Sequence, residues 1–389
     1  VRVPQLKKNK SGQRGRAGDF FAVILLLLIV AGLGWLWWHS RQPKKVFAPK
    51  PVAVMKTAAP EMISPPVVQT LPLVKPVVSP PLAGLVKTNP PPAPAILPEK
   101  AAEISRPAQD IFEAQVALAR RAISPGSIDG AIGSQTRAAI AAFQRSQNLP
   151  VTGRWDTNTR PLLTLEEPLL TTYVVTTNDL ARLQPIGKTW IEKSQQTALD
   201  YETILELVAE KAHAHPLLVQ KLNPGVDWAD VPAGTVLKIS DVEYPEPEGK
   251  AAFVIIHLSE RFLEAFDADT NLLVHFPCSI GAHFDKRPVG ELKVKAIAPN
   301  PNYTFDPAVF PESPEAQAIG HKLILPPGPN NPVGTAWIGL DKPGYGMHGT
   351  PSPEQVGRTE SHGCFRLANW DAEYLLKLAW IGLPVEVVP

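Results

Sequence analysis

The sequence predicts a multidomain chain. An N-terminal transmembrane helix and a Pro-rich linker lead into a small α domain of three helices. A small α+β module of βααβ order follows, and then a mostly-β C-terminal domain. Three observations carry this reading. Residues 20–38 hold no charge. Sixteen of the 43 prolines fall between Pro43 and Pro107. Beyond them, apolar spacing is helical as far as Leu222 and becomes strand-like from Phe253 onward. A length of 389 residues accommodates several domains.

The run "FFAVILLLLIVAGLGWLWW", Phe20–Trp38, would span roughly 28 Å as a helix, close to the hydrocarbon thickness of a bilayer. Trp35, Trp37 and Trp38 suit the far headgroup layer. Residues 1–19 carry six basic groups against Asp19, or +5, so with +1 overall the remainder is −4. That asymmetry predicts a single-pass anchor in the cytoplasmic (inner) membrane, with residues 1–19 as a cytoplasmic tail and everything beyond the helix outside. A cleaved signal peptide is the alternative; its apolar run is normally shorter and ends at a small-residue site. The charge pattern gives no sign of a nucleic-acid partner. Residues 39–108 form the linker, too rich in proline for a helix or sheet interior and able to reach on the order of 200 Å if fully extended. Two cysteines cannot make a disulfide framework.

Residues 109–165 contain the α domain. "DIFEAQVALARRAI" places Phe112, Val116, Ala119 and Ile123 on one stripe behind a possible Asp110 cap. "SQTRAAIAAFQRSQNLP" gives a second helix capped by Ser134, with Thr136, Ile140 and Phe143 on one face, and "VTGRWDTNT" leads to a third that Pro161 should shorten or bend. The stretch "DGAIGSQTRAAIAAFQRSQNLPVTGRWDTNT" resembles the peptidoglycan-binding-domain family through Asp129, Gly130, Gly133, Thr136, Ala139, Phe143, Gln144, Leu149, Thr152, Gly153 and Asp156. Binding to the wall polymer is what the resemblance implies. Phe143 and Ile140 themselves read as core.

Residues 171–241 begin with a strand and a helix start, "TYVVTTNDL". Helical spacing continues through Ile204, Leu207, Val208, Leu217, Leu218 and Leu222, and "VPAGTVLKI" closes with a strand. This order is similar to the LysM family of βααβ glycan-binding modules, although Ala181–Ala198 has no counterpart in that pattern. A plain linking domain is the alternative. His213 and His215, two apart on a helix, point to different faces and are not a metal pair.

Residues 252–389 read as "FVIIHL", "RFLEAF", "LLVHFPCSI" and "GELKVKAI" strands, a strand after "NPVGT", a helix "NWDAEYLLKLAW" capped by Asn369 or Asp371, and a last strand "PVEVV". Within them, "HGTPSPEQVGRTESHGCFRL" gathers His348, His362 and Cys364 in seventeen positions of a chain with nine histidines and two cysteines. A catalytic thiol needs a base near it. No His follows Cys364, so the base must be His348, His362 or a distant histidine. In an extended segment His362 would face the same side as Cys364, but at about 6–7 Å between Cα atoms. His348 can approach from a neighbouring strand and is the better base. Gly363 allows a backbone turn that aims N–H groups at an oxyanion. Zinc held by His348, His362 and Cys364, or a merely structural cluster, remain alternatives.

The same residues resemble the signature of L,D-transpeptidase (YkuD-type) catalytic domains: His348-Gly349, a spacer, then Ser361-His362-Gly363-Cys364-Phe365-Arg366. Upstream, "PVGELKV" and "GYGMHGT" are similar to the family's approach to its site. Cys278 departs from the usual aliphatic residue and reads as buried and inert. The resemblance implies a membrane-anchored enzyme of cell-wall biogenesis that needs no metal or organic cofactor, takes peptidoglycan stems as its partner and is inhibited by carbapenems. Cys364 would attack the third residue of a tetrapeptide stem, releasing D-Ala and leaving a thioester that an acceptor amine resolves as a 3→3 cross-link. His348 would be the base. Gly349, His362 and Gly363 would serve orientation and the oxyanion, and Arg366 and Ser361 would meet the substrate. Hydrolysis of the same thioester, or wall binding without catalysis, are the alternatives.

Overall fold

A computed structural model describes residues 105–281, 287–359 and 363–389. The basic segment, the apolar run, nearly all of the Pro-rich stretch, Ser361 and His362 lie outside the described residues. Among the described residues no helix is long and apolar enough to cross a membrane.

The first module packs α1 (Ile111–Ala119) against α2 (Ser134–Ser146), with a short antiparallel pair, β1 (Arg106–Pro107) and β2 (Thr164–Leu165), closing its ends. Asp110 caps α1, accepting from the Glu113 amide at 2.9 Å. The helix stops at Ala119, so Ile123 lies beyond it and is buried there instead of continuing the stripe. Ser134 is the first residue of α2 and Gly133 its cap, without a side-chain bond. The expected third helix is only a turn. Arg160 N–H reaches Asp156 O at 3.0 Å, and Pro161 then supplies no donor to carry the ladder further.

Two buried glutamines tie the loops to these helices. Gln115 accepts from Gly130 N–H at 2.7 Å and donates to Asp129 at 2.9 Å, while Gln144 accepts from Thr152 and Gly153 N–H at 2.7 and 2.9 Å. Gln115, and Gln144 of the recognised pattern, therefore pair the loop amides, which an apolar replacement would leave without these acceptors.

In the second module β3 (Leu170–Val174) pairs antiparallel with β4 (Val236–Ser240). Between them stand four short helices where two were expected: α3 (Thr177–Arg182), α4 (Trp190–Gln195), α5 (Ile204–Lys211) and α6 (Pro216–Leu222). The two shortest, α3 and α4, each start at a capping box, Thr176 with Asp179 and Thr189 with Glu192, which stabilises such short elements. Asn223 of "LNP" bonds both Val219 O and Lys238 O at 2.8 Å, binding the end of α6 to the closing strand. The two modules share one hydrophobic core, joined where Ile128 bridges Ala214.

The C-terminal domain is built on an eight-stranded sheet of the described residues. Its strands are β5 (Phe253–His257), β6 (Phe262–Phe266), β7 (Leu272–Pro277), β8 (Gly290–Pro299), β11 (Ala336–Leu340), β12 (Gly346–His348), β13 (Phe365–Arg366) and β14 (Pro384–Val388), in the order β13-β12-β11-β8-β14-β5-β6-β7. Two pairs, β12/β13 and β14/β5, are parallel. The long β8 pairs with β14 through its first half and with β11 through its second, so it joins the two halves of the sheet. Helix α8 (Asn369–Leu378) lays Ala372, Leu375 and Leu378 on the core formed by Val254, Ile256, Phe276, Val294, Ile338 and Met347. A separate arm consists of β9 (Tyr303–Phe305) paired with β10 (Leu323–Leu325), with α7 (Pro314–Ile319) between them.

Candidate active site

The period-2 alternation of strands sorts the signature residues. Across β8, β11, β12 and β13, the pairs Ile297–Ile338, Ile338–Met347 and Met347–Phe365 form one row, and Ile338, Met347 and Phe365 are fully buried in the core. The alternate row runs Ala298, Trp337, His348, Arg366 on the opposite face. Cys364, two residues before Arg366, shares that face. A cavity of about 730 Å³ opens over it, lined by His348, Cys364, Gly363, Arg366, Trp337 and Tyr303 among others. An adjoining cavity of about 370 Å³ shares Arg366, Pro332 and Trp190.

His348 is 3% exposed and lies against the Trp337 ring, with centroids 5.5 Å apart. Its Nδ1 stands 2.7 Å from the Gly349 carbonyl oxygen. A carbonyl can only accept, so Nδ1 carries the proton and Nε2 keeps its lone pair. Burial pulls the imidazole down to about 4; the bond to Gly349 opposes this and the Arg366 charge adds to it. Cys364 is partly exposed, and its thiol donates to Gly344 O at 3.3 Å. Burial pushes that thiol up to about 11, against the Gly346 amide and Arg366, which both favour thiolate. The resting pair is therefore thiol and neutral imidazole rather than thiolate and imidazolium. Such a pair is suited to general-base transfer rather than to a preformed ion pair.

Arg366 is fixed through its backbone. Its N–H and C=O pair with Ser279 at 3.0 and 2.9 Å, while its side chain reaches both cavities. Gly363 has φ +152°, a conformation side chains rarely adopt. A Cβ on Gly349 would lie 2.1 Å from Asn369 Oδ1. That contact exposes a residue that sequence reasoning assigned only to capping. Asn369 is the first residue of α8, and Ala368 is the cap. Its Oδ1 accepts from the amides of Thr350 (3.0 Å) and Thr335 (3.3 Å), and its Nδ2 donates to both Glu210 oxygens at 3.1 Å. Trp337, Tyr303 and Gly344 were also missed. No spacing in the sequence marks them, because each reaches the cavity from a different strand or turn. The stretch Phe305–Leu325 borders the cavity through Val309 and Phe310. Cys278 is fully buried, and both cysteines are free thiols.

Residues 251–387 match the YkuD family, the L,D-transpeptidase catalytic domain. The C-terminal domain is a YkuD-type L,D-transpeptidase catalytic domain. Residues 107–163 match the family described as "Putative peptidoglycan binding domain", so that region precedes the catalytic domain as the sequence pattern indicated. A Bacillus licheniformis protein named "Putative L,D-transpeptidase YkuD" is 26% identical over 188 residues, covering 48% of this chain and 94% of that protein. The "Probable L,D-transpeptidase YcfS" of Escherichia coli is 29% identical over 187 residues, and the match spans 47% of this chain and 58% of that protein. L,D-transpeptidase 3 of Mycobacterium tuberculosis aligns with 41% of this chain and 77% of its own at 18% identity and a TM-score of 0.29.

Proposed function

We propose that this chain is a cysteine-dependent peptidoglycan L,D-transpeptidase that is anchored in the inner membrane and works on the wall side of it. One observation carries the chemistry: Cys364 and His348 share one sheet face and one cavity, with His348 Nδ1 committed to Gly349 and Nε2 left as acceptor. As Cys364 Sγ bonds to the carbonyl carbon of the stem's third residue, its proton passes to Nε2. The tetrahedral oxyanion is met by backbone N–H groups near Gly363. The C–N bond to D-Ala breaks, and the imidazolium returns the proton to that amine, leaving a thioester. An acceptor amine then attacks, yields its proton through His348, and displaces the thiol. Arg366, reaching both cavities, meets the substrate's charge.

The apolar run with its basic flank supports anchoring, and the linker supports reach. The match at residues 107–163 supports wall binding, and the LysM-like frame of the second module supports a second glycan contact. Holding the polymer close raises the substrate concentration at Cys364.

Intact-mass spectrometry of the full chain with a carbapenem tests this reading. Wild type gains one covalent adduct and Cys364→Ala gains none; an adduct on both, or on neither, contradicts it. Tetrapeptide supplied with and without a second stem then separates transfer from hydrolysis, by dimer against free tripeptide.

A further inference from the structure

The arm β9–α7–β10 is not hydrogen-bonded into the eight-stranded sheet. A two-stranded pair of this size is marginal alone and needs an apolar surface to pack on. That surface comes from the second module, from the segment between α3 and α5, most of which has no counterpart in the LysM pattern. Trp190 stacks on Phe305 with centroids 4.4 Å apart and planes 18° apart, and Tyr303 and Phe310 flank it at 6.2 and 5.9 Å. The Trp190 amide donates to Glu315 Oε1 of α7 at 2.7 Å. Leu199, at the other end of the segment, is fully buried with Phe305, Ala316, Ile319 and Leu325. Leu199 N–H bonds Pro327 O, and its carbonyl accepts from Asn330 N–H, both at 2.9 Å, so the segment grips the chain just after β10. Trp190 and Tyr303 both line the cavity that holds Cys364.

We propose that residues 183–203 are a wall of the catalytic cavity: Trp190, carried by the second module, holds the Tyr303–Leu325 arm beside Cys364 and bounds the space an acyl donor's peptide occupies. Trp190 is then a positioning residue, and donor selection depends on a module outside the catalytic domain. Trp190, Tyr303 and Phe310 give that wall flat apolar faces against which a peptide's amide planes and small aliphatic side chains can pack. The substrate class rests on the function proposed above; the wall itself does not.

The test uses the full chain and two readouts. The first is alkylation of Cys364 by iodoacetamide against a bulky N-aryl maleimide, located by peptide mass. Losing the ring stack in Trp190→Ala should raise the bulky-to-small rate ratio by about tenfold, while Trp190→Phe, which keeps a ring on Phe305, stays near wild type. The second is tetrapeptide kinetics, where Trp190→Ala should raise KM by about tenfold with kcat changed by less than about threefold. Should Trp190→Ala fail to melt cooperatively, Trp190→Leu carries the same expectations. An unchanged ratio in a folded variant, or Trp190→Phe behaving as Trp190→Ala, overturns the proposal. A changed ratio in a protein that acylates nothing would instead overturn the enzymatic reading and leave the wall standing.

Discussion

The chain's two cysteines lie on neighbouring pieces of backbone, since Ser279, next to Cys278, pairs with Arg366, two residues after Cys364, yet their surroundings differ in kind. Burial pushes both thiols up, Cys278 to about 12 and Cys364 to about 11. Titration alone does not separate them. What does is the surface each one meets. Cys278 is sealed in the sheet core with Phe276 and Ile280. Cys364 borders a cavity of about 730 Å³ that also holds an imidazole with a committed Nδ1. What sets Cys364 apart is access and an imidazole on the same face, not a depressed resting pKa.

Substitution gives the largest separation. Cys364→Ala should lower acyl transfer by at least about 10⁴-fold, and His348→Gln by about 10²–10⁴-fold. Cys278→Ala should keep the activity and cost only about 1 kcal/mol in denaturant unfolding. Comparable losses at both cysteines would erase the contrast.

The next largest effect lies behind His348. Gly349→Ala drives a Cβ toward Asn369 Oδ1 and must move the carbonyl that holds Nδ1. A fall in kcat of about 10²-fold is expected, since imidazole orientation is lost. Asn369→Ala leaves the Thr350 amide buried without its acceptor and should cost about 1–3 kcal/mol of stability, with a smaller loss of kcat. Steady-state kinetics and urea melts of both variants read this out.

The pH profile sharpens the comparison further. His348, lowered to about 4, stays a base well below the usual histidine range. The acid limb of kcat/KM should therefore fall near pH 4 rather than 6.5, and a midpoint near 6.5 would contradict the neutral resting pair.

The last effect is on stability at the contact between modules. Burial first, then Glu373 and Glu206, raises Glu210 to about 8, against its bonds from Asn369 and Tyr201. A raised carboxyl binds its proton better in the folded state, so its stabilisation is complete below the unfolded value near 4.5 and is lost as pH rises toward 8. Buried, uncharged His348 acts in the opposite sense, its stability present above 6.5 and lost as pH falls toward 4. Glu210→Gln should flatten the alkaline decline, by on the order of a few kcal/mol across that window, in melts taken from pH 5 to 9.

Much of the site was legible in one short stretch. His348 and Arg366 fall on two adjacent parallel strands, with Gly349, Gly363 and Cys364 just beyond their ends, and alternation then places His348 and Arg366 on one face. The strands from Phe253 onward were legible for the same reason. What escaped has its partners far along the chain. Asn369 looked like a cap because nothing near it in sequence announces Gly349, 20 residues back, or Glu210, 159 back. Trp190 sat in a segment with no counterpart in the LysM pattern, and its stacking partner, Phe305, belongs to another domain. The third helix of the first module is cut to a single turn at Pro161, the residue expected to shorten it.

The central claim is that Cys364 becomes acylated by a peptide stem with His348 as base. Incubating the full chain with a tetrapeptide stem, quenching in acid and mapping the adduct by peptide mass tests it most directly. The account predicts a tripeptide acyl group on the fragment containing Cys364, absent in Cys364→Ala and strongly slowed in His348→Gln. A wild-type chain whose Cys364 alkylates freely but never carries that acyl group would contradict it.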